Sequence, residues 1–484
     1  MNRSVLPVKK ASIIELPLSN KNNNTNNEFI PIVNGEAIYD NNDSAPIVIP
    51  QNKLISFIKN NESRIATMIL FVILCLVAFL IDKFSKSLKI FTVVGVYFGS
   101  KNSGYYIIKD SNLSSIYTNI NYSEIILDEY GLKGLEYGDK AHNHSKVVLE
   151  KEKRLYFYNF KKYLIQNENL EKAIISPDIP KNHNTTLIRV IKEYLDLFKN
   201  TIKKNKQLRN LDKKWVVTIP DFWKKKNIDV LKDAVKNIDI DMENIETISE
   251  SHAVLLGSDI FNQNKINNLY NNKIFMVINA DLYNTDINVY KTISNGKNSI
   301  ELIASKNYPY GYNKINDKIL DIVENSFEVK DINKAKDNFD VWKLTLDDIE
   351  NKIKLVKDNM TDNLEIRADF SLDYYWMYRF KQSYTRKYEN YEIKDIKGKV
   401  FIPGELVKKI INENILNILS DINNIFNQIR ESIDYIIVMG EFSKSNILKN
   451  TLIKKFDNIK IQFIDNYEKV IMKGAALYGL EQKY

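Results

Sequence analysis

The sequence predicts an α/β fold that follows a disordered tail and a single transmembrane helix. From about residue 90 onward, runs rich in β-branched and aromatic residues alternate with amphipathic helical patterns, which is typical of α/β proteins. The segment from Ile65 to Ile81 is apolar and uncharged. Residues 1–64 are rich in Asn, Ser and Pro and show no periodicity, which is typical of disorder. These observations divide the 484-residue chain into a tail, an apolar segment and a folded region.

The apolar segment 65–81 is predicted to cross a lipid bilayer as a single-pass anchor. It is slightly shorter than the ideal span of about 20 residues, yet within the usual range. A buried core helix is the alternative, and the absence of any charge favours the membrane. Basic residues flank both ends and leave the orientation undecided. We expect a membrane protein of the endoplasmic reticulum or secretory pathway, with a linker at 82–90 and the C-terminal region in the lumen.

Composition excludes several classes of function. Hydrophobic residues make up 44% of the chain, enough for domains with sizeable cores. The net charge of +8 comes from 69 basic and 61 acidic residues that are spread along the chain, so no nucleic-acid partner is predicted. Cys75 is the single cysteine and there are only four histidines, so neither a disulfide framework nor a structural zinc site is expected.

The folded region opens with a hairpin, "FTVVGVYFGSKNSGYYII", from Phe91 to Ile108. Two strand-like runs flank the Gly/Ser/Asn turn from Gly99 to Gly104. Small turn residues let the backbone approach a ligand such as a phosphate. The predicted elements that follow are a buried strand at 214–220, a helix at 225–238, a second hairpin at 273–293, a long helix at 404–429 and a buried strand at 434–440.

A faint internal repeat relates the two hairpins. "KIFTVVGVYFG" begins at Lys89 and "KIFMVINADLY" at Lys273. Their ungapped alignment sets Tyr97 opposite Asp281 and Gly99 opposite Tyr283. The repeat suggests two related lobes, at 91–272 and 273–484, each opening with a strand–turn–strand unit.

Four segments in this order resemble the nucleotide-binding domain of the 70-kDa heat-shock chaperones, in the actin-like ATPase superfamily. They are the first hairpin, the block from Trp215 to Leu256, the second hairpin, and the stretch from Ile433 that closes with "KGAALYGL". The resemblance runs from Phe91 to Tyr484 and implies an actin-like fold of two lobes, with the final helix returning to the first lobe. It is that of a divergent member without the family's peptide-binding domain.

The resemblance also implies a site for ATP or ADP with magnesium. The first hairpin would supply Gly95, Gly99, Ser100, Lys101 and Asn102, and the purine side would supply Gly440. If the site were active, Asp281 would hold Mg²⁺, and Glu250 and Lys161 would join it as catalytic residues.

This chain departs from the family pattern at the phosphate turns. Tyr97 stands where the family has a magnesium-holding Asp, and Tyr283, Asn284 and Asp286 replace the glycines of the second turn. Glu441 follows Gly440 where the family usually has a second glycine. Bulk and negative charge at these points would oppose phosphate binding.

The sequence therefore predicts a membrane-anchored pseudo-ATPase that acts as a protein-interaction or chaperone-related module with unknown protein partners. The alternative is an active ATPase without a peptide-binding domain, which Asp281, Gly99, Ser100 and Glu250 keep open. A different actin-like protein, such as a sugar kinase or a filament protein, is a third interpretation, and the "KGAALYG" ending argues against it.

Overall fold

The computed structural model shows two compact units, residues 1–87 and 88–484. It describes residues 71–77, 79, 92–109, 115–144, 149, 151–158, 160, 162–163, 169, 172–178, 184–205, 213–236, 245–260, 272–294, 298–327, 332–333, 335–336, 339–356, 362–368, 383–396, 398–429 and 431–481. The predicted tail, residues 1–64, and the predicted linker, residues 82–90, lie outside these ranges.

The prediction of a transmembrane helix is wrong. Within the described ranges, no helix has both the length and the apolar character that crossing a membrane requires. In the first unit, residues 71–77 and 79 are helical with exposed side chains, and the rest of the segment from Ile65 to Ile81 lies outside the described residues. Apolar composition does not set helix length, and a span needs about 20 helical residues. The single-pass membrane localisation was inferred from this segment, so that prediction is wrong as well.

The described residues of the second unit form a mixture of strands and helices. The strands are β1 Thr92–Phe98, β2 Asn102–Lys109, β3 Ser115–Tyr122, β4 Glu124–Leu127, β5 Gly134–Tyr137, β6 Leu155–Tyr158, β7 Ile174–Ile175, β8 Thr185–Thr186, β9 Lys213–Ile219, β10 Ile245–Ser249, β11 Ile274–Ala280, β12 Thr285–Ser294, β13 Asn298–Tyr308, β14 Leu364–Arg367, β15 Ser383–Tyr388, β16 Tyr391–Ile396, β17 Lys399–Ile402, β18 Tyr435–Met439 and β19 Lys460–Phe463.

The helices are mostly amphipathic and bury one face. They are α1 Asp139–His142, α2 Leu187–Lys204, α3 Lys225–Lys236, α4 Glu250–Gly257, α5 Asn313–Asn325, α6 Phe339–Lys354, α7 Gly404–Gln428, α8 Asn446–Lys455 and α9 Tyr467–Glu481, with a 3-10 helix at Glu441–Lys444. In α7, buried Leu406, Ile410 and Ile418 share one face at helical spacing. In α4, the side chain of Ser249 accepts a hydrogen bond from the His252 N–H and so caps the helix.

Two five-stranded sheets have the same strand order. From one edge to the other, the first sheet runs β3-β2-β1-β9-β10, and the second, read in the same direction, runs β13-β12-β11-β18-β19. In each, a central strand pairs antiparallel with the other strand of its hairpin and parallel with a strand that follows much later in the chain. The parallel pairs require crossover connections, which the helices supply. We call residues 92–260 lobe I and residues 272–463 lobe II.

Helices α4 and α9 pack between the two sheets. A mixed apolar cluster there joins Val93 and Val216 of the first sheet to Phe275 and Ile437 of the second. The contacts are close enough to require glycine. A Cβ on Gly95 would lie 2.2 Å from the carbonyl oxygen of Met472 in α9. The last helix therefore packs directly against the first sheet and brings the ends of β1 and β11 toward each other.

Candidate functional site

The turns of the two hairpins meet through one buried hydrogen bond. The Ser100 hydroxyl, in the β1–β2 turn, donates to Oδ2 of Asp281 at 2.9 Å. Asp281 follows β11 directly, and the two residues are 2% and 1% exposed. The structure thus brings together two of the residues that the sequence assigns to phosphate and magnesium.

The first turn forms hydrogen bonds within lobe I. The Gly99 N–H donates to the Ser103 hydroxyl at 3.2 Å, and the Ser123 hydroxyl donates to the Gly99 carbonyl at 2.8 Å. A backbone N–H that is already bonded must lose that bond before it can face a phosphate. The ring of Tyr97 also lies against this turn, since a Cβ on Gly99 would be 2.6 Å from its Cε1. Gly99 thus leaves room for the ring of Tyr97 and forms its hydrogen bonds with Ser103 and Ser123.

Tyr97 itself is 1% exposed and lies edge-on to the ring of Tyr467 in α9, with 6.4 Å between the ring centroids. An aromatic pair of this geometry contributes packing and electrostatic attraction. The pKa of the Tyr467 phenol lies well above its ordinary value. Burial is the main cause, and the nearby Glu441 and Tyr97 raise this pKa further. The Tyr97 phenol therefore belongs to the core between the lobes.

The second turn is stabilised by hydrogen bonds from a backbone N–H and from two asparagine side chains. The Asp281 N–H donates to the Asn284 carbonyl at 3.0 Å. The Asp286 carboxylate accepts from the Asn284 side-chain amide at 2.7 Å and from the amide of Asn307. Burial raises the pKa of Tyr283 in the same turn well above its ordinary value. Both oxygens of Asp286 thus accept hydrogen bonds from side-chain amides of the chain.

Gly440 and Glu441 follow β18 on the purine side of the predicted site. Gly440 has a φ of +94°, and a Cβ there would lie 2.3 Å from the Ala280 carbonyl, so only glycine fits. Glu441 is 1% exposed. Its carboxylate forms ion pairs with Lys354 at 2.7 Å and with Lys444 at 2.9 Å. Burial raises the pKa of Glu441, but the two ammonium groups outweigh it and lower that pKa to about 2.

A chain of ion pairs links this point to the first hairpin. Lys101 Nζ, in the β1–β2 turn, lies 3.1 Å from Glu350 Oε1 on α6. Glu350 also pairs with Lys354 at 2.6 Å, and Lys354 pairs with Glu441. Opposite charges therefore alternate from lobe I to the end of β18. Burial opposes the charge on Lys354, but Glu441 and Glu350 favour it more strongly and raise its pKa.

The remaining predicted site residues have structural partners or lie apart. Glu250 is buried and accepts from the Asn279 side-chain amide at 3.2 Å. The Asn102 side-chain amide donates to Glu468 at 3.3 Å. Gly95 faces α9 rather than the turns. Lys161 lies outside the described residues.

Sequence reasoning missed Glu350, Lys354 and Tyr467, which take part in these contacts. Glu350 and Lys354 are four residues apart on a helix, the spacing of an ordinary surface ion pair. Nothing in that spacing indicates that Glu350 also reaches Lys101, 249 residues earlier in the chain.

A hydrated magnesium ion beside a nucleoside triphosphate would have to compete with partners that the chain itself supplies. Such ions are held by one or two carboxylates together with substrate phosphates. Asp281 already accepts from Ser100, and Glu350 and Glu441 are each bound by lysines. Within the described ranges, no three His, Cys, Asp or Glu side chains come together as a metal site.

A scan against protein-family models found no match for this chain, and a search of curated proteins found none either.

Proposed function

We propose that this protein is a non-catalytic relative of the nucleotide-binding domain of the 70-kDa heat-shock chaperones, which works by contacting other proteins. The sequence resemblance to that family and the repeated strand order of the two sheets support the kinship. The hydrogen bonds and ion pairs that occupy both hairpin turns support the loss of catalysis.

The Ser100–Asp281 hydrogen bond carries the proposal. Phosphates bind where backbone N–H groups from both turns face an open space. Here the two turns bind each other, with both side chains almost fully buried. A nucleotide would have to break this contact and separate Lys101 from Glu350. Each buried, charge-assisted contact that is lost opposes binding.

Calorimetric titration of the full chain with Mg-ATP and with Mg-ADP tests the proposal. We expect no binding heat and no thermal stabilisation up to millimolar nucleotide. Micromolar binding that is abolished by Asp281→Ala, but not by Ser305→Ala on the exposed edge strand β13, would overturn it. That result would favour the alternative, an active chaperone-like ATPase, for which the buried Asp281 and Glu250 provide the remaining carboxylates.

A further inference from the structure

We propose that α6 is an ion-pair clamp that holds the two lobes together without any ligand. The clamp consists of Lys343 and Glu350 on α6 and their lobe I partners Glu124 and Lys101. This inference rests on the proposed function, because both concern the contacts between the two lobes around the hairpin turns. It goes further by assigning the closed state to a particular helix.

Helix α6 is anchored in lobe II. Ile349 and Ile353 are buried in the lobe II core. The Tyr312 hydroxyl, from the start of α5, donates to the Glu350 carbonyl at 3.1 Å. The Arg367 N–H, in β14, donates to Asp348 at 2.7 Å. Any contact of α6 with lobe I is therefore a contact between the lobes.

The first attachment joins the N-terminal half of α6 to β4. Lys343 Nζ lies 3.2 Å from Glu124 Oε1, and the two side chains are 12% and 5% exposed. The ammonium also lies 3.3 Å from the Tyr156 hydroxyl and 5.1 Å from the ring centroid of Tyr158. The second oxygen of Glu124 accepts from Tyr156, and His142 Nδ1 lies 3.0 Å from the first. Glu124 is thus a buried carboxylate whose partners come from both lobes.

The second attachment joins the C-terminal half of α6 to the β1–β2 turn. Glu350 receives Lys101 from lobe I at 3.1 Å and Lys354 from its own helix at 2.6 Å. Lys354 in turn reaches Glu441 after β18. The carboxylate of Glu350 is therefore compensated on both sides.

The two attachments are two helical turns apart, about 10 Å along the axis, and have opposite polarity. At one, lobe II provides the cation, and at the other it provides the anion. Removing one partner of the buried Lys343–Glu124 pair leaves an uncompensated charge, which is costly. The Lys101–Glu350 pair, whose side chains are 31% and 14% exposed, is more strongly screened by solvent and contributes less. Because all four groups belong to the chain, closure requires neither nucleotide nor metal.

Electron-paramagnetic-resonance distance measurement on the full chain tests the clamp. The exposed Cys75 is replaced by Ser, and spin labels are placed at Lys151→Cys in lobe I and Lys394→Cys in lobe II, both exposed positions. With the clamp intact, we expect one narrow distance distribution that is unchanged by Mg-ATP. Lys343→Met and Glu124→Gln should each raise the open-to-closed ratio by about tenfold or more, and the double variant should go no further than either single one.

Lys318→Met is the matched control, because it removes an exposed 2.6 Å pair with Glu413 that lies wholly within lobe II. It should leave the distribution unchanged. Should Lys343→Met fail to fold, Lys101→Met tests the other attachment at a site that is 31% exposed. The clamp is overturned if folded Lys343→Met or Lys101→Met keeps the narrow distribution. A distance change on adding Mg-ATP to the intact clamp would instead contradict the proposed function.

Discussion

Replacing Glu441 by Gln is expected to destabilise the folded protein by roughly 3 kcal/mol at pH 7. The folded state lowers the pKa of this carboxyl from 4.5 to about 2. A shift of one pKa unit corresponds to about 1.36 kcal/mol, so the lowered pKa of Glu441 corresponds to roughly 3 kcal/mol of stability. Glu441 is 1% exposed, so solvent screens its pairs with Lys354 and Lys444 only weakly.

The stabilisation that Glu441 provides should decrease as the pH falls. Because the folded pKa lies below the unfolded one, the stabilisation is complete above about pH 4.5 and is lost as the pH falls toward 2. The gap in unfolding free energy between the wild type and Glu441→Gln should therefore narrow to about half at pH 3.

Urea unfolding of both proteins at pH 7 and at pH 3 measures this gap. The exposed Glu405→Gln, at the start of α7, serves as the control and should change stability by no more than about 0.5 kcal/mol at either pH. The reasoning is refuted if Glu441→Gln is as stable as the wild type at pH 7, or if the gap is the same at both pH values.

Two further predictions concern the packing of α4 and α9. Gly474→Ala should lower the free energy of unfolding by at least about 1–3 kcal/mol, because a Cβ there would lie 1.7 Å from the Ala253 carbonyl oxygen. Thermal unfolding measures this loss, with Lys473→Ala as the control variant. Equal melting temperatures for the two variants would contradict the prediction. Burial lowers the pKa of His252 from 6.5 to about 4, so stability should decline as the pH falls from about 6.5 toward 4. Histidine NMR titration should show a midpoint near 4 for a resonance that is absent from His252→Gln, and a midpoint near 6.5 would refute the burial argument.

Local signals predicted individual elements well. The two runs of β-branched and aromatic residues on either side of the Gly99–Gly104 turn indicated the β1–β2 hairpin, whose register pairs Tyr97 with Gly104. The predicted strand at 214–220 corresponds to β9, and the predicted helix at 404–429 corresponds to α7, each within one residue at both ends. These patterns depend on neighbours in sequence, which fix backbone periodicity and burial.

The same local reasoning failed for the segment from Ile65 to Ile81. An uncharged apolar run predicts burial in some apolar environment, but it does not determine how far a helix extends. Within the described part of the chain, no helix combines the length and the apolar character that crossing a membrane requires.

The sequence by itself determined the two hairpins, the strands at 214–220 and 434–440, the long helix at 404–429, and the presence of Tyr97, Tyr283 and Glu441 in or next to the turns. Only the tertiary structure decided what these side chains do. Ser100 meets Asp281, and Lys101 meets Glu350, across 181 and 249 residues of chain. Periodicity reports which face of an element is buried, whereas the partner of a buried charge depends on how distant elements pack. That packing turns the cleft between the lobes into an internal network of hydrogen bonds and ion pairs.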